Sequence, residues 1–145
     1  MSESPVDGQS AGAVARGRCQ CGGVRFEVHG PLRPVLYCHC TMCRRLNGHF
    51  AAATACAPAN LRLLSAQSLR WYPSSESARR AFCATCGSQL FWEPVHGGHI
   101  SIWAGTLDTP TGLTASGHIF AAEKGDYYEI ADGLPQWPGD SPAEG

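Results

Sequence analysis

Short runs of alternating hydrophobic and polar residues recur along this chain. Val24, Phe26 and Val28 alternate with charged residues, and Ile100 and Ile102 repeat the pattern, which is typical of strands with one buried face. Further short apolar segments occupy residues 35–37, 50–55, 61–63, 69–71, 78–82, 90–92 and 119–121. Because Gly, Pro and Asn separate these segments, the sequence predicts a mainly β domain of many short strands.

Helical periodicity is nearly absent from the sequence. We expect one short helix, through Cys43 to Leu46, which ends with Asn47 and Gly48 as its C-terminal cap. Residues 112–117 are predicted to form a loop.

The two ends of the chain lack any periodic pattern. Residues 1–16 are rich in Ser, Gly and Ala, so we expect a disordered leader there. Residues 138–145 are expected to form a flexible tail. The remaining residues, 17–137, are enough for one domain with a buried core.

The composition excludes several classes of protein. The 145 residues carry a net charge of -1, which gives no basis for binding nucleic acid or an acidic membrane surface. No apolar run approaches the length of a transmembrane helix, and the N-terminus lacks the regions of a secretory signal. We therefore expect a cytoplasmic protein, whose eight cysteines bind metal; a disulfide framework in a secreted protein is the alternative.

Two cysteine pairs have the form of metal-binding turns. Cys19-Gln20-Cys21-Gly22-Gly23 and Cys83-Ala84-Thr85-Cys86-Gly87 each join a predicted strand, and the glycine after the second cysteine permits a positive φ close to the sulfur. Together the two pairs supply four thiolates, which complete a tetrahedral zinc shell. We predict a structural zinc ion that ties the first strand to a hairpin some distance along the chain.

A third group consists of Cys38, Cys40 and Cys43, which lie within six residues. Three protein ligands with a vacant fourth position are typical of a catalytic zinc site, whereas a fourth ligand from His39 or His49 would make the site structural. The spacing leaves both arrangements possible. A different partition, with Cys19, Cys21, Cys38 and Cys40 in one site, is also possible; we prefer one ion for three cysteines so close together.

At these motifs the chain resembles the glutathione-dependent formaldehyde-activating enzyme family, which also includes the centromere protein V-like proteins. The similar segments are Gly17-x-Cys19-x-Cys21-Gly22-Gly23-Val24-x-Phe26, Cys38-His39-Cys40-x-x-Cys43-Arg44, Phe82-Cys83-x-x-Cys86-Gly87-Ser88-x-Leu90-Phe91, Gly105-Thr106-Leu107-Asp108, His118-Ile119-Phe120 and Asp132-Gly133-Leu134-Pro135. They occur in the family's order and span nearly all of the predicted domain.

The resemblance implies a twisted β-tent fold, related to zinc ribbons, with short antiparallel strands and two zinc ions. It assigns Cys19, Cys21, Cys83 and Cys86 to the structural ion, and Cys38, Cys40 and Cys43 to the catalytic ion. It also implies an activity, the condensation of glutathione with formaldehyde to S-hydroxymethylglutathione, which is a carbon–sulfur lyase reaction. The expected partners are therefore a small thiol such as glutathione and a small aldehyde.

The charge of such a site suggests a role for two neighbouring arginines. Three thiolates on a dication leave one net negative charge, and Arg44 and Arg45 are placed to offset it or to bind a substrate carboxylate. The alternative is that both are solvated surface residues.

Two other functions compete with this interpretation. A zinc-stabilised binding module without catalysis would have the same cysteine pattern. A methionine sulfoxide reductase of the B type has a related fold but needs a reactive cysteine outside the metal sites. Cys56 is the candidate for that role, and its apolar segment instead predicts a buried free thiol.

Overall fold

The computed structural model describes residues 14–142 and shows a mainly β architecture, which confirms the predicted fold class. The described strands are β1 (Val14–Arg18), β2 (Arg25–His29), β3 (Val35–Cys38), β4 (Ala51–Cys56), β5 (Leu61–Ser65), β6 (Leu69–Pro73), β7 (Ala78–Cys83), β8 (Gln89–Pro94), β9 (Ile100–Trp103) and β10 (Ala115–Ile119). Helix α1 spans Thr41–Asn47, and short 3-10 turns span Pro58–Asn60, Ala104–Thr106 and Ala121–Glu123. None of the helices in the described residues is long and apolar enough to cross a membrane.

The strands form two sheets. A three-stranded sheet has the order β1-β2-β5, and a seven-stranded sheet has the order β10-β3-β4-β9-β8-β7-β6. Neighbouring strands are antiparallel except β10 and β3, which are parallel.

The main core lies between apolar side chains of both sheets. Phe26 of β2 and Phe91 of β8 are fully buried, and their rings meet edge to face with centroids 5.2 Å apart. Ile102 of β9 and Val28 of β2 extend this core. The predicted strand with one buried face is therefore confirmed at residues 24–28, since every second side chain of β2 points into the core.

The register of the large sheet separates its two faces. Ala81, Phe91 and Ile102 lie opposite one another on β7, β8 and β9 and belong to the core. The adjacent row consists of Arg80, Trp92 and Ser101, which are also cross-strand neighbours. Because successive side chains of a strand point to opposite faces, this second row faces away from the core.

Helix α1 begins two residues earlier than the sequence predicted. The Cys40 side chain caps it by accepting a hydrogen bond from the Cys43 backbone N–H at 3.3 Å, and a cysteine is not among the usual capping residues. The C-terminal end is as predicted: Gly48 has φ of 80°, and its N–H donates to the Arg44 carbonyl.

The predicted loop at 112–117 is wrong in its second half, because β10 begins at Ala115. The segment pairs with β3, and Gly117 lets the Trp137 ring approach so closely that a Cβ there would lie 2.5 Å from it. Residues 115–117 have a composition typical of a loop, but they form a strand because they pair with β3, which is distant in the sequence. The strand expected over 119–121 ends at Ile119 and continues into a 3-10 turn.

Both predicted terminal segments overlap the ordered fold. Most of the expected leader, residues 1–16, lies outside the described residues, but residues 14–16 belong to β1. Residues 143–145 of the expected tail also lie outside them. Within 138–142, the Gly139 carbonyl accepts from the Phe120 N–H at 2.8 Å, and Ser141 is buried.

Candidate metal centres and the adjoining cavity

Four cysteine sulfurs come together where β1 ends and β7 turns into β8. Cys19, Cys21, Cys83 and Cys86 each offer one sulfur, and these four atoms all lie within 4.8 Å of one another. The Sγ atoms of Cys19 and Cys21 are 3.6 Å apart, and those of Cys21 and Cys83 are 3.7 Å apart. Tetrahedral Zn–S bonds would place sulfurs about 3.8 Å apart, whereas a disulfide needs about 2 Å. The donor set therefore fits a metal ion.

Hydroxyl hydrogen bonds favour ionised sulfur at two of the four cysteines. The Ser88 hydroxyl lies 3.1 Å from the Cys86 Sγ and lowers the pKa of that thiol to about 5. The Ser68 hydroxyl likewise lowers the pKa of Cys83. Gly87, with φ of 81°, makes the turn between Cys86 and Ser88. Thiolates are the form that binds metal.

The other three sulfurs come from two neighbouring elements. Cys38 ends β3, Cys40 caps α1, and Cys43 lies in the first turn of the helix, buried. Their sulfur atoms also lie within 4.8 Å of one another. The change from strand to helix within residues 38–43 thus brings the three sulfurs together.

These three thiols compete for one negative charge. Hydrogen bonds from Cys38 and Cys43 lower the pKa of Cys40 to about 2, and the same contact with Cys40 raises the pKa of Cys38 far above its ordinary value. Three sulfurs in contact ionise together only beside a cation, because their mutual repulsion is otherwise uncompensated. The donor set fits a soft divalent ion that offsets this repulsion.

A cavity of about 240 Å³ opens beside the three-cysteine cluster. Its wall is the face of the large sheet that points away from the core, with Arg80, Trp92, Ser101 and Trp103 on adjacent strands. Small side chains on β4, at Ala51 and Ala53, leave the space, and Cys38, Cys40 and Cys43 line one side of it. The second cluster is therefore placed to meet a small ligand.

Comparison with known proteins agrees with this architecture. Residues 14–123, more than half of the chain, match the family model described as Glutathione-dependent formaldehyde-activating enzyme. The chain belongs to this family. The resemblance inferred from the motifs is thus confirmed, and the family is named for an enzyme activity.

A solved structure shares the fold of this family member. It is the crystal structure of a Rhodobacter sphaeroides protein, determined by structural genomics, with 23% sequence identity and a TM-score of 0.56. The similarity covers 84% of this chain and 98% of that chain.

Arg44 and Arg45 of α1 do not line the cavity of this family member. The residues that line the cavity include Arg33 and Arg80 but neither Arg44 nor Arg45. Each helical residue turns the side chain by about 100°, so the helix that directs Cys43 to the cluster directs the next two residues elsewhere. Arg45 is exposed.

Trp92 and Trp103 both line the cavity. Trp103 is held in place by Asn47 at the end of α1, whose Oδ1 accepts from the indole Nε1 at 2.9 Å. The Asn47 Nδ2 in turn donates to the Cys43 carbonyl at 2.8 Å. One amide thus fixes the cavity wall relative to the cluster.

A series of hydrogen-bonded side chains starts at His39, which lies between the cluster residues Cys38 and Cys40. His39 has its two ring nitrogens bonded to the Tyr128 hydroxyl and, at 2.8 Å, to His118 Nδ1. The other nitrogen of His118, Nε2, lies 2.7 Å from the Asp132 carboxylate. Because a carboxylate only accepts, His118 donates to Asp132; a neutral His118 then accepts from His39 at Nδ1, and His39 accepts from Tyr128.

Burial keeps His39 neutral in this chain. Desolvation, followed by the nearby His118, lowers the pKa of His39 to about 4. The sequence leaves His39 as a possible zinc ligand, but both of its ring nitrogens are used by Tyr128 and His118. Tyr128 and Asp132 lie about ninety residues from His39 and could not be found from local spacing.

Cys56 is a buried thiol in β4, as predicted. Its side chain is 5% exposed, and burial raises its pKa to about 11. A reactive cysteine needs exposure and a lowered pKa. The site therefore lacks what the sulfoxide reductase alternative requires of this residue.

Proposed function

We propose that this protein binds a small thiol, such as glutathione, beside Cys38, Cys40 and Cys43 and adds it to formaldehyde or a related small aldehyde. The reaction is of the carbon–sulfur lyase type. We further propose zinc as the ion at both clusters, with a structural role at Cys19, Cys21, Cys83 and Cys86. Reduced thiols at both sites would suit a cytoplasmic setting.

The observation that carries the proposal is the unequal surroundings of the two clusters. The four-sulfur cluster completes a tetrahedral shell by itself, whereas the three-sulfur cluster leaves a ligand position and adjoins the cavity. Zinc held by three thiolates would stabilise a substrate thiol in its thiolate form. The family membership supports the same reaction.

The proposed step is an addition that needs no further reactant. The substrate sulfur forms a bond to the carbonyl carbon, the carbonyl π pair moves to oxygen, and that oxygen takes up the proton released by the thiol. The product is a hydroxymethyl thioether. The sheet wall at Trp92 and Trp103 would shield the reacting atoms from bulk water.

Calorimetric titration of the zinc-loaded protein with glutathione and smaller thiols tests the proposal. We expect saturable binding by at least one thiol, two zinc ions per chain in the wild type, and loss of thiol binding in Cys43→Ser. Cys56→Ser is the matched control and should keep both properties. The proposal is wrong if Cys43→Ser retains two ions and an unchanged thiol affinity.

A further inference from the structure

Arg80 is a buried cation beside the three-cysteine cluster. Its side chain is 5% exposed, and its Nη2 donates toward the Cys43 Sγ at 3.7 Å. Its Nε and Nη1 have no hydrogen-bond partner among the described residues. A guanidinium stays protonated in proteins, and burying one with unpaired N–H groups costs free energy. Arg80 therefore has binding capacity that the fold itself does not use.

The preceding residue, Arg79, has the ion pair and ring contact that an arginine side chain usually makes. Arg79 lies on the opposite face of β7, where its Nη2 contacts the Glu93 carboxylate at 2.7 Å. Its guanidinium also lies 3.9 Å from the centre of the Trp71 ring. Arg80 also faces a ring, with its guanidinium 5.7 Å from the centre of Trp103, but it is buried and has no carboxylate partner within residues 14–142.

Outside the cysteine cluster, the buried charge beside the cavity is positive. Arg33 also lines it, with Nη2 donating to the Ala53 carbonyl at 3.0 Å. Asp140 is the one acidic residue lining the cavity among the described residues; it is exposed, and its Oδ1 accepts from the Ser141 N–H at 2.9 Å. A negatively charged ligand would therefore be favoured near Arg80.

We propose that Arg80 selects small thiols that carry a carboxylate, which it attracts and hydrogen-bonds while the ligand sulfur lies at the three-cysteine cluster. This proposal rests on the proposed function and names the substrate class of the same site. Carboxylates suit a guanidinium because both are planar and can share two hydrogen bonds. Since Nε and Nη1 are shielded from solvent, we expect the ligand to turn the guanidinium toward the cavity.

The size of the cavity favours a short ligand. Its volume of about 240 Å³ lies below the range of about 300–1,000 Å³ that is usual for drug-sized ligands. The contact between Arg80 and Cys43 places the charge next to the sulfurs. A carboxylate only a few bonds from the thiol should therefore be recognised best.

Three thiols of similar length separate charge from sulfur binding. Calorimetric titration of the zinc-loaded full-length protein would compare 3-mercaptopropionate, 3-mercaptopropan-1-ol and cysteamine, which are anionic, neutral and cationic. We expect the anionic thiol to bind about tenfold or more tightly than either of the others, because a hydrogen bond to a charged group is worth at least that factor.

The arginine variants locate the source of this preference. In Arg80→Gln the three affinities should converge to within about twofold, while Arg80→Lys keeps part of the preference because it keeps the charge. Arg79→Gln is the matched control and should retain the wild-type ratio. Zinc content and melting temperature, measured for each variant, show that the metal sites and fold persist.

The possible outcomes distinguish this proposal from the proposed function. Equal binding of all three thiols by the wild type would overturn the role of Arg80 and leave thiol binding intact. A preference for the anionic thiol that survives Arg80→Gln would also overturn it. Binding of glutathione but of none of the three would overturn only this proposal, and binding of no thiol at all would contradict both.

Discussion

Removing the Tyr128 hydroxyl should destabilise this protein measurably. Tyr128→Phe keeps the ring, which lies 4.8 Å below the Lys124 ammonium, but deletes the donor to His39. That histidine is fully buried and neutral, and its other nitrogen is already used by His118. Its Nδ1 would therefore be left as a buried acceptor without a partner.

The magnitude follows from the burial of that acceptor. A buried polar group left without a hydrogen bond costs about 1–3 kcal/mol. For a chain of this size, 1 kcal/mol corresponds to about 2–4 °C in melting temperature. We therefore expect Tyr128→Phe to lower the melting temperature by about 4–8 °C if the cost is about 2 kcal/mol.

The adjacent tyrosine supplies a matched control. Tyr127 is 60% exposed, and its hydroxyl contacts His49, also exposed, at 3.0 Å. Water can replace that contact, so Tyr127→Phe should change stability by less than about 0.5 kcal/mol. Thermal unfolding of both zinc-loaded variants, followed by circular dichroism, gives the comparison. Equal melting temperatures for the two variants would refute the buried hydrogen bond between Tyr128 and His39.

Two further changes test the four-sulfur cluster and the helix cap. Cys83→Ser should lower the melting temperature far more than Cys56→Ser, because loss of the metal would release β1 from the β7–β8 turn. Similar melting temperatures of the two variants by calorimetry would argue against a structural ion. Gly48→Ala should cost about 1 kcal/mol, since a φ of 80° is unfavourable for residues with a Cβ, and no loss in urea unfolding would contradict this.

Local patterns in the sequence predict the strands and the cysteine groups well. Alternation over residues 24–28 reflects a strand with one buried face, and close spacing brings Cys38, Cys40 and Cys43 together through one turn and one helix start. Both signals depend on residues that are neighbours along the chain. β1 was missed because its residues, Val14–Arg18, show no alternation.

The cavity depends on distant pairings that no local pattern contains. Arg80 meets Cys43 across 37 residues, and Trp92 and Ser101 join it only through the register of β7, β8 and β9. One sequence signal was available, however. Two consecutive arginines in a strand must point to opposite faces, and in an inner strand such as β7 one of them is expected to be buried.

The central claim is that an external thiol binds at the cluster of Cys38, Cys40 and Cys43. Zinc has a filled d shell and gives no ligand-dependent absorption, so the direct measurement is the visible spectrum of the cobalt-substituted protein during titration with 3-mercaptopropionate. We predict a saturable change in the cobalt spectrum that is absent in Cys43→Ser. A wild-type spectrum that stays unchanged at saturating thiol would contradict the claim.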